Sequence, residues 1–196
     1  NNLKTWEEIV RRVKHPAKNV TIALVGKYIE LKEAYKSLCE ALTHGGIAND
    51  SKVSICWVDS EEIEAKGAAQ MLKGMDGILV PGGFGIRGVE GKIATVKYAR
   101  ENKIPYFGIC LGMQCAVIEV ARDLAGLQNA NSSEFDQKTP HPVIYLIEQW
   151  YDYRSKTVQK RDIACDKGGS MRLGAYPCNI EKGTLAYQAY GQQEIS

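Results

Sequence analysis

The chain has 196 residues, which is enough for one compact α/β domain and short for two. Its composition is that of an ordinary soluble globular protein, and a net charge of +2 gives no electrostatic basis for binding nucleic acid or an anionic membrane. No apolar stretch is long enough to span a bilayer, the N-terminus lacks a signal-peptide pattern, and the six cysteines include no C-x-x-C pair. We therefore expect a cytoplasmic protein with reduced thiols, no metal site, and neither nucleic acid nor a membrane as partner.

The spacing of apolar residues predicts strands and helices that alternate from residue 19 to about residue 126. Strands are predicted at continuous apolar, β-branched runs, namely NVTIALVG (19–26), KVSICWVDS (52–60), GILVPGG (77–83) and IPYFGIC (104–110). Helices are predicted where apolar residues recur every three or four positions, namely 5–13, 30–46, 60–74 with Ser60 as N-cap, 90–103 and 111–126. Beyond residue 126 the pattern is less regular, and strands are predicted at PVIYLI (142–147) and GTLAYQAYG (183–191).

This alternation predicts an α/β fold with a doubly wound, mainly parallel sheet flanked by helices. In such sheets ligands bind outside the carboxyl ends of the strands. Two glycine-rich segments, PGGFG (81–85) and GICLG (108–112), follow neighbouring predicted strands and fall at that edge. The candidate site is therefore expected there.

Cys110 lies between two glycines, where a predicted strand turns into a predicted helix. Residues packed against such a turn must be very small, which is why G-x-nucleophile-x-G marks nucleophile elbows. The free N–H groups and the dipole of the helix favour the reactive thiolate at this position. We predict that Cys110 is a nucleophile; the alternative is a buried structural cysteine beside an ordinary glycine turn.

A nucleophile that attacks a carbonyl needs N–H groups aimed at the developing oxyanion. The backbone N–H of Leu111, directly after Cys110, is one candidate. Gly83 is the second, because a glycine lets the backbone approach a substrate closely. The alternative is that the glycines of the PGGFG segment only shape a turn.

The segment GFGIRG (83–88) also fits the dinucleotide-binding pattern G-x-G-x-x-G. That pattern normally follows the first strand and is completed by an acidic residue at the end of the next one, which would hold a ribose. Here it follows the third predicted strand, and the next strand ends in Gly108-Ile109-Cys110 with no acidic residue. A nucleotide cofactor is therefore the weaker interpretation of this loop.

The segments PGGFG and GICLGMQ together resemble the glutaminase domain of class I glutamine amidotransferases. More narrowly, four segments are similar to that domain in the CTP synthase family: VGKYIELKEAYKSLCEAL (25–42), VPGGFGIRGVEGKI (80–93), NANSSEF (129–135) and GGSMRLG (168–174). The resemblance runs from about residue 20 to the C-terminus. It implies a flavodoxin-like fold and hydrolysis of L-glutamine to glutamate and ammonia through a thioester on Cys110.

The resemblance also implies roles for single residues. Gly83 and Leu111 fall on the oxyanion hole, and both also count among the substrate-binding residues. Gly112, Met113 and Gln114 fall on the glutamine-binding segment. Glu134 falls on a carboxylate that holds the α-ammonium group of the substrate, which needs an anionic partner. By the resemblance, Phe84 and Arg87, beside the site, are candidate contacts to a partner domain or to an effector such as GTP; the favoured alternative is an ordinary solvent-exposed loop.

The expected partners follow from the same family. The ammonia would pass to a synthetase domain of the same polypeptide, which aminates UTP to CTP with ATP and Mg²⁺, and the full enzyme is expected to form a homo-oligomer. No cofactor is expected in the glutaminase domain itself.

The sequence departs from the family in its general base. The family uses a histidine and a glutamate in an H-P-E motif, but none of His15, His44 and His141 is followed by Pro-Glu. A basic segment of the type R-H-R-Y-E-V-N, whose arginine holds the substrate carboxylate, is missing as well. We expect residues 19–196 to be an amidotransferase domain truncated at its C-terminus, preceded at 1–18 by a helix and linker from a synthetase domain outside this chain.

Two alternatives remain open. A non-catalytic, glutaminase-like module for regulation or assembly would explain the missing H-P-E motif, although the elbow and the NSSEF segment are intact. A cysteine hydrolase of the DJ-1-like type would also use an elbow cysteine, but with a different turn sequence.

Overall fold

A computed structural model of the chain describes residues 3–27, 29–146, 149–152, 156–160 and 177–196. The chain divides into two compact units, Asn1–Leu146 and Ile147–Ser196. The GGSMRLG segment at 168–174 lies outside the described residues. In the described part of the chain, no helix is both long enough and apolar enough to cross a membrane.

The helices are α1 Lys4–Lys14, α2 Lys36–Ala48, α3 Ser60–Lys66, α4 Ala68–Met71, α5 Val89–Glu101, α6 Leu111–Asp123 and α7 Leu185–Tyr190, with a 3₁₀ turn at Lys32–Tyr35. The strands of the four-stranded sheet are β1 Lys18–Gly26, β2 Ser51–Asp59, β3 Gly77–Val80 and β4 Tyr106–Gly108. The remaining strands are β5 Asn131–Ser132, β6 Pro142–Ile144, β7 Gln149–Asp152, β8 Thr157–Lys160, β9 Cys178–Asn179 and β10 Glu194–Ile195.

The first unit is built on a four-stranded parallel sheet with the strand order β2-β1-β3-β4. Side chains alternate between its faces, because successive residues of a strand point to opposite sides. Ala23 and Val25 of β1 join the core cluster that contains Ile63 of α3 and Ala99 of α5. Leu24, between them, joins the cluster on the side of α2. Helices therefore cover both faces, which confirms the predicted doubly wound α/β fold.

Two predicted helices are interrupted. The predicted helix 30–46 begins as the 3₁₀ turn and becomes α-helical only at Lys36. The predicted helix 60–74 is split into α3 and α4 by Gly67, whose φ of +87° is incompatible with a continuous helix. The predicted cap Ser60 was wrong by one position, because the side chain of Asp59 accepts the capping hydrogen bond from the Glu61 N–H at 2.7 Å.

The predicted strand at 183–191 was wrong. The structure has the helix α7 there, and the Thr184 hydroxyl caps it by accepting a hydrogen bond from the Tyr187 N–H at 3.1 Å. Gly183 and Gly191 take positive φ values of +85° and +69°, which end the extended backbone on both sides. The local cap signal therefore prevails over the strand preference of the tyrosines.

The second unit contains short antiparallel pairings. Strand β7 pairs with β8, and β9 pairs with β10 across the intervening α7. In the first unit, β5 pairs in parallel with β6. The predicted strand 142–147 was too long, because the structure has strand only at Pro142–Ile144, while Tyr145 and Leu146 are not in a strand and residue 147 lies outside the described residues.

Candidate active site

Cys110 occupies the sharp turn between β4 and α6. It is the N-cap residue of α6, and its backbone has φ +52° and ψ −104°. A positive φ is rare for a residue with a side chain and costs on the order of 1–3 kcal/mol, so it persists only where the surroundings enforce it. The thiol is partly exposed. These are the features of a nucleophile elbow.

The two flanking glycines are required by close backbone contacts. A Cβ atom on Gly108 would lie 2.5 Å from the carbonyl carbon of Gly112. A Cβ atom on Gly112 would lie 2.1 Å from the carbonyl oxygen of Val80, at the end of β3. Neither position has room for a side chain, so the elbow is fixed directly against the neighbouring strand.

Hydrogen bonds support the same turn. The Ile109 N–H donates to the Val80 carbonyl at 2.9 Å, which extends the pairing of β4 with β3 up to the nucleophile. The Tyr106 hydroxyl donates to the Gly112 carbonyl at 2.7 Å. Burial raises the pKa of Tyr106 far above its usual range, so this hydroxyl is protonated and able to donate at neutral pH.

The second cysteine of the segment has a different environment. Cys115 lies in α6 and is fully buried, and this burial raises the pKa of its thiol to about 11. It is therefore protonated at neutral pH, which excludes it as a nucleophile there.

The glycine-rich loop after β3 lies beside the elbow. A Cβ atom on Gly82 would lie 3.4 Å from the Cβ atom and 3.9 Å from the Sγ atom of Cys110. A Cβ atom on Gly83 would lie 3.6 Å from the Leu111 side chain. The structure thus brings together Gly83, Cys110 and Leu111, the residues that the sequence assigned to the nucleophile and the oxyanion hole.

Glu134 comes to the same loop from a different part of the chain. It follows β5, and its Oε1 atom accepts a hydrogen bond from the Gly85 N–H at 2.9 Å. By local sequence alone this residue is an ordinary loop glutamate. The hydrogen bond shows that the NSSEF segment lies next to the glycine loop.

Lys27 is a neighbour of the loop that sequence reasoning missed. It directly follows β1, and its ammonium group donates to the carbonyl oxygens of Phe84 and, at 3.1 Å, of Gly85. Burial is the main cause that lowers its pKa, with a smaller contribution from the charge of Arg87. The sequence contains one feature that could have indicated Lys27. It follows a predicted strand, so it lies at the carboxyl-end edge of the sheet, where the glycine loops were expected.

The remaining predicted residues lie around this centre. Phe84 is 48% exposed, and the Arg87 guanidinium forms an ion pair with Glu61 of α3 at 3.6 Å. Met113 is 49% exposed in the first turn of α6, and the Gln114 N–H donates to the Cys110 carbonyl at 3.0 Å. Among the described residues, no cluster of three or more His, Cys, Asp or Glu side chains is arranged to hold a metal ion.

The three histidines lie in separate parts of the first unit. His15 follows α1, His44 lies in α2 and His141 precedes β6. Within the described part of the chain, no hydrogen bond joins any of these three histidines to Cys110.

The family model for class-I glutamine amidotransferases matches residues 30–194 of the chain. The chain belongs to this family. Its relatives include the CTP synthase of Nitratidesulfovibrio vulgaris strain DP4, which is 58% identical over 194 residues, and that of Oleidesulfovibrio alaskensis, which is 59% identical over 194 residues. Each alignment covers 99% of this chain but only 36% and 35% of the relative.

A solved structure shares the fold of this amidotransferase chain. It is described as the glutaminase domain of Trypanosoma brucei CTPS with bound acivicin, and it is 40% identical with a TM-score of 0.73. The match covers 89% of this chain and 64% of the other. The chain spans about a third of the length of the curated relatives that it matches.

Proposed function

We propose that this amidotransferase chain is the glutaminase domain of a CTP synthase, which hydrolyses L-glutamine to glutamate and ammonia. The observation that carries the proposal is the strained Cys110 at the N-terminus of α6, placed directly beside the Gly82–Gly83 backbone. Identity of 58% over nearly the whole chain to a CTP synthase selects this enzyme among the amidotransferases.

The reaction follows from the placement of these groups. The Cys110 thiolate attacks the carboxamide carbon of glutamine, and the former carbonyl oxygen becomes an oxyanion that accepts hydrogen bonds from the N–H groups of Gly83 and Leu111. The carbon–nitrogen bond then breaks, the amide nitrogen takes up a proton and leaves as ammonia, and an S-acyl thioester remains. Water hydrolyses the thioester, which releases glutamate and restores the thiol.

Substrate recognition is assigned to the residues that surround the elbow. Glu134 would pair with the α-ammonium group of glutamine in a charge-assisted hydrogen bond. Gly112, Met113 and Gln114, at the start of α6, would line the position of the substrate side chain. The close approach of Gly112 to Val80 keeps this first turn of the helix next to the sheet edge.

The proposal extends to the rest of the enzyme. The ammonia would serve a synthetase domain of the same polypeptide, which would bind ATP, Mg²⁺ and UTP, and GTP would act as an effector. Phe84 and Arg87 are the proposed contacts to that domain or to the effector. We also propose that the full enzyme forms a homo-oligomer and acts in the cytoplasm.

The decisive experiment is to measure the intact mass of the protein after incubation with a chloroketone analogue of glutamine. We expect one adduct, lost in Cys110→Ala, retained in the control Cys178→Ala, and prevented by excess glutamine or by acivicin. Cys178 is an exposed thiol, so its variant controls for simple accessibility. Equal labelling of the wild type and Cys110→Ala would refute the assignment of the nucleophile.

A further inference from the structure

The loop that follows β3 is held at a single peptide unit. The N–H of Gly85 donates to Glu134, and the carbonyl of Phe84, which belongs to the same peptide unit, accepts a hydrogen bond from Lys27. In a trans peptide the N–H and C=O groups point in opposite directions. Glu134 and Lys27 therefore bind the Phe84–Gly85 peptide from its two sides and fix its orientation.

The loop needs such an external constraint. Gly82, Gly83 and Gly85 place little restriction on the backbone, and Gly85 has a φ of +78°. Beyond the end of β3 at Val80, no strand pairing holds these residues. Hydrogen bonds from charged groups are stronger than those between neutral groups, so a lysine and a glutamate are well suited to hold a peptide in place.

A second hydrogen bond also directs the ammonium group of Lys27 to the loop. It donates to the Gly85 carbonyl at 3.1 Å in addition to the Phe84 carbonyl. The same group carries a desolvation penalty from its partial burial, which a lysine turned into solvent would avoid. Its position is thus maintained by the two carbonyl groups.

We propose that Lys27 is a positioning residue for the oxyanion hole, an inference that rests on the proposed glutaminase function. It holds the Phe84–Gly85 peptide against Glu134, and this keeps the N–H of Gly83, two residues earlier, directed at the oxyanion. Lys27 acts through the backbone and does not touch the reacting atoms. Glu134 then serves two purposes, because the carboxylate that is assigned to the substrate ammonium also anchors the loop.

The test compares two reagents that differ in their need for the oxyanion hole. Glutamate γ-semialdehyde, the aldehyde analogue of glutamine, adds to the thiolate: a carbon–sulfur bond forms and the carbonyl π electrons move to the oxygen, which becomes an oxyanion. Iodoacetamide alkylates the same thiol by displacing iodide and creates no oxyanion. The Kd of the aldehyde is measured from its protection of Cys110 against iodoacetamide, with intact mass as the readout. L-glutamate, which has no electrophilic carbon of this kind, reports substrate-like binding in the same assay.

We expect Lys27→Met to weaken aldehyde binding by about 10- to 100-fold, the order of loss caused by small misplacement in an active site. The rate of alkylation without ligand and the Kd of L-glutamate should change by no more than about threefold, since neither depends on the oxyanion. Lys27→Arg should restore most of the aldehyde affinity, and Lys27→Gln, with a neutral donor, should be intermediate. Lys18→Met, at the opposite end of β1, is the matched control and should resemble the wild type.

The proposal is overturned if Lys27→Met binds the aldehyde like the wild type, or if aldehyde and L-glutamate lose affinity in parallel. If Lys27→Met does not fold, the comparison of Lys27→Arg with Lys27→Gln decides, and equal affinities in those two variants refute the role of the charged donor. Failure of the glutaminase assignment would look different, because then the wild type itself would show no protection of Cys110 by the aldehyde.

Discussion

The two halves of the candidate active site are held in place by different forces. The elbow around Cys110 is fixed by steric contact, because the backbones of Gly108, Gly112 and Val80 approach so closely that no side chain fits between them. The glycine loop beside it has no such contacts with backbone at Gly83 and Gly85, and charged side chains from the residue after β1 and from the segment after β5 hold it.

This difference indicates to which kind of substitution each half is sensitive. Steric contacts between backbones leave a single arrangement, whereas a loop held by hydrogen bonds depends on the charged groups that make them. The nucleophile should therefore respond to any change of shape near the elbow. The oxyanion side should respond to changes of charge.

The largest effect is expected from Gly112→Ala, which tests the steric half. The new Cβ atom would lie 2.1 Å from the Val80 carbonyl oxygen, so either α6 or β3 must move. We expect a loss of about 4 kcal/mol or more in the free energy of unfolding, or no folded protein, as measured by urea denaturation.

Gly45→Ala is the matched control for that substitution. Gly45 lies in α2 with open space around its Cβ position. The variant should be more stable by about 0.5–1 kcal/mol, because alanine favours the helix. A Gly112→Ala variant as stable as the wild type would refute the steric account of the elbow.

The second effect concerns a buried charge on α5, outside the two halves of the site. Lys92 of α5 is 2% exposed, and its burial, together with the nearby charge of Lys27, lowers its pKa from 10.5 to about 8, while Cys115, Asp59 and Glu64 act in the opposite direction. Because the folded state holds fewer protons than the unfolded state between these pKa values, the stability contributed by Lys92 rises with pH from about 8 to 10.5. At pH values below that window, the buried charge of Lys92 lowers the free energy of unfolding by on the order of 3 kcal/mol.

We therefore expect Lys92→Met to be more stable than the wild type at pH 7, with an advantage that shrinks as the pH approaches 10.5. Urea unfolding of both proteins at several pH values measures this, and their difference largely removes the titration of shared groups. Lys97→Met is the control, since Lys97 lies on the same helix but forms an exposed ion pair with Asp123 at 2.9 Å. An advantage of Lys92→Met that grows with pH would contradict the prediction.

The third effect separates the two uses of Glu134. In Glu134→Gln the side-chain oxygen can still accept the Gly85 N–H, but the charge for the substrate ammonium is lost. We expect this variant to bind L-glutamate about 10-fold more weakly, as when one charge-assisted bond is removed. Glu134→Ala also removes the oxygen that accepts the Gly85 N–H, so its affinity for the aldehyde should fall by a larger factor than its affinity for L-glutamate. Identical behaviour of the two variants would mean that Glu134 does not anchor the loop.

The smallest effect is expected at the outer end of the loop. The ion pair between Arg87 and Glu61 is solvent-exposed on both sides, with side chains 55% and 43% accessible. Exposed pairs contribute about 0–1 kcal/mol, so Glu61→Gln should change the free energy of unfolding by less than about 1 kcal/mol. It should also leave aldehyde binding near that of the wild type. A large loss of aldehyde binding would show that this pair, and not Lys27 with Glu134, holds the loop.

Local patterns in the sequence predicted much of the fold and half of the site. The continuous apolar runs gave the correct strands β1 to β4, since burial on both faces of a parallel sheet demands them. Errors arose where a single residue decides the backbone, as with Gly67 inside the helix 60–74 and with the Thr184 cap of α7. Asp59 and Ser60 are both good cap residues, and the choice between them depends on where β2 ends.

What the sequence determined by itself is the elbow. A cysteine between glycines at the junction of a strand and a helix is recognisable within five residues, although the contact that leaves no room for a side chain at Gly112 is made with Val80 of β3. What only the tertiary structure decided is how the oxyanion loop is held. Lys27 reaches Phe84 and Gly85 because β1 lies beside β3 in the strand order, and Glu134 reaches Gly85 across 49 residues of sequence. Strand order and long-range hydrogen bonds arise from the packing of the whole sheet, which no local spacing of residues encodes.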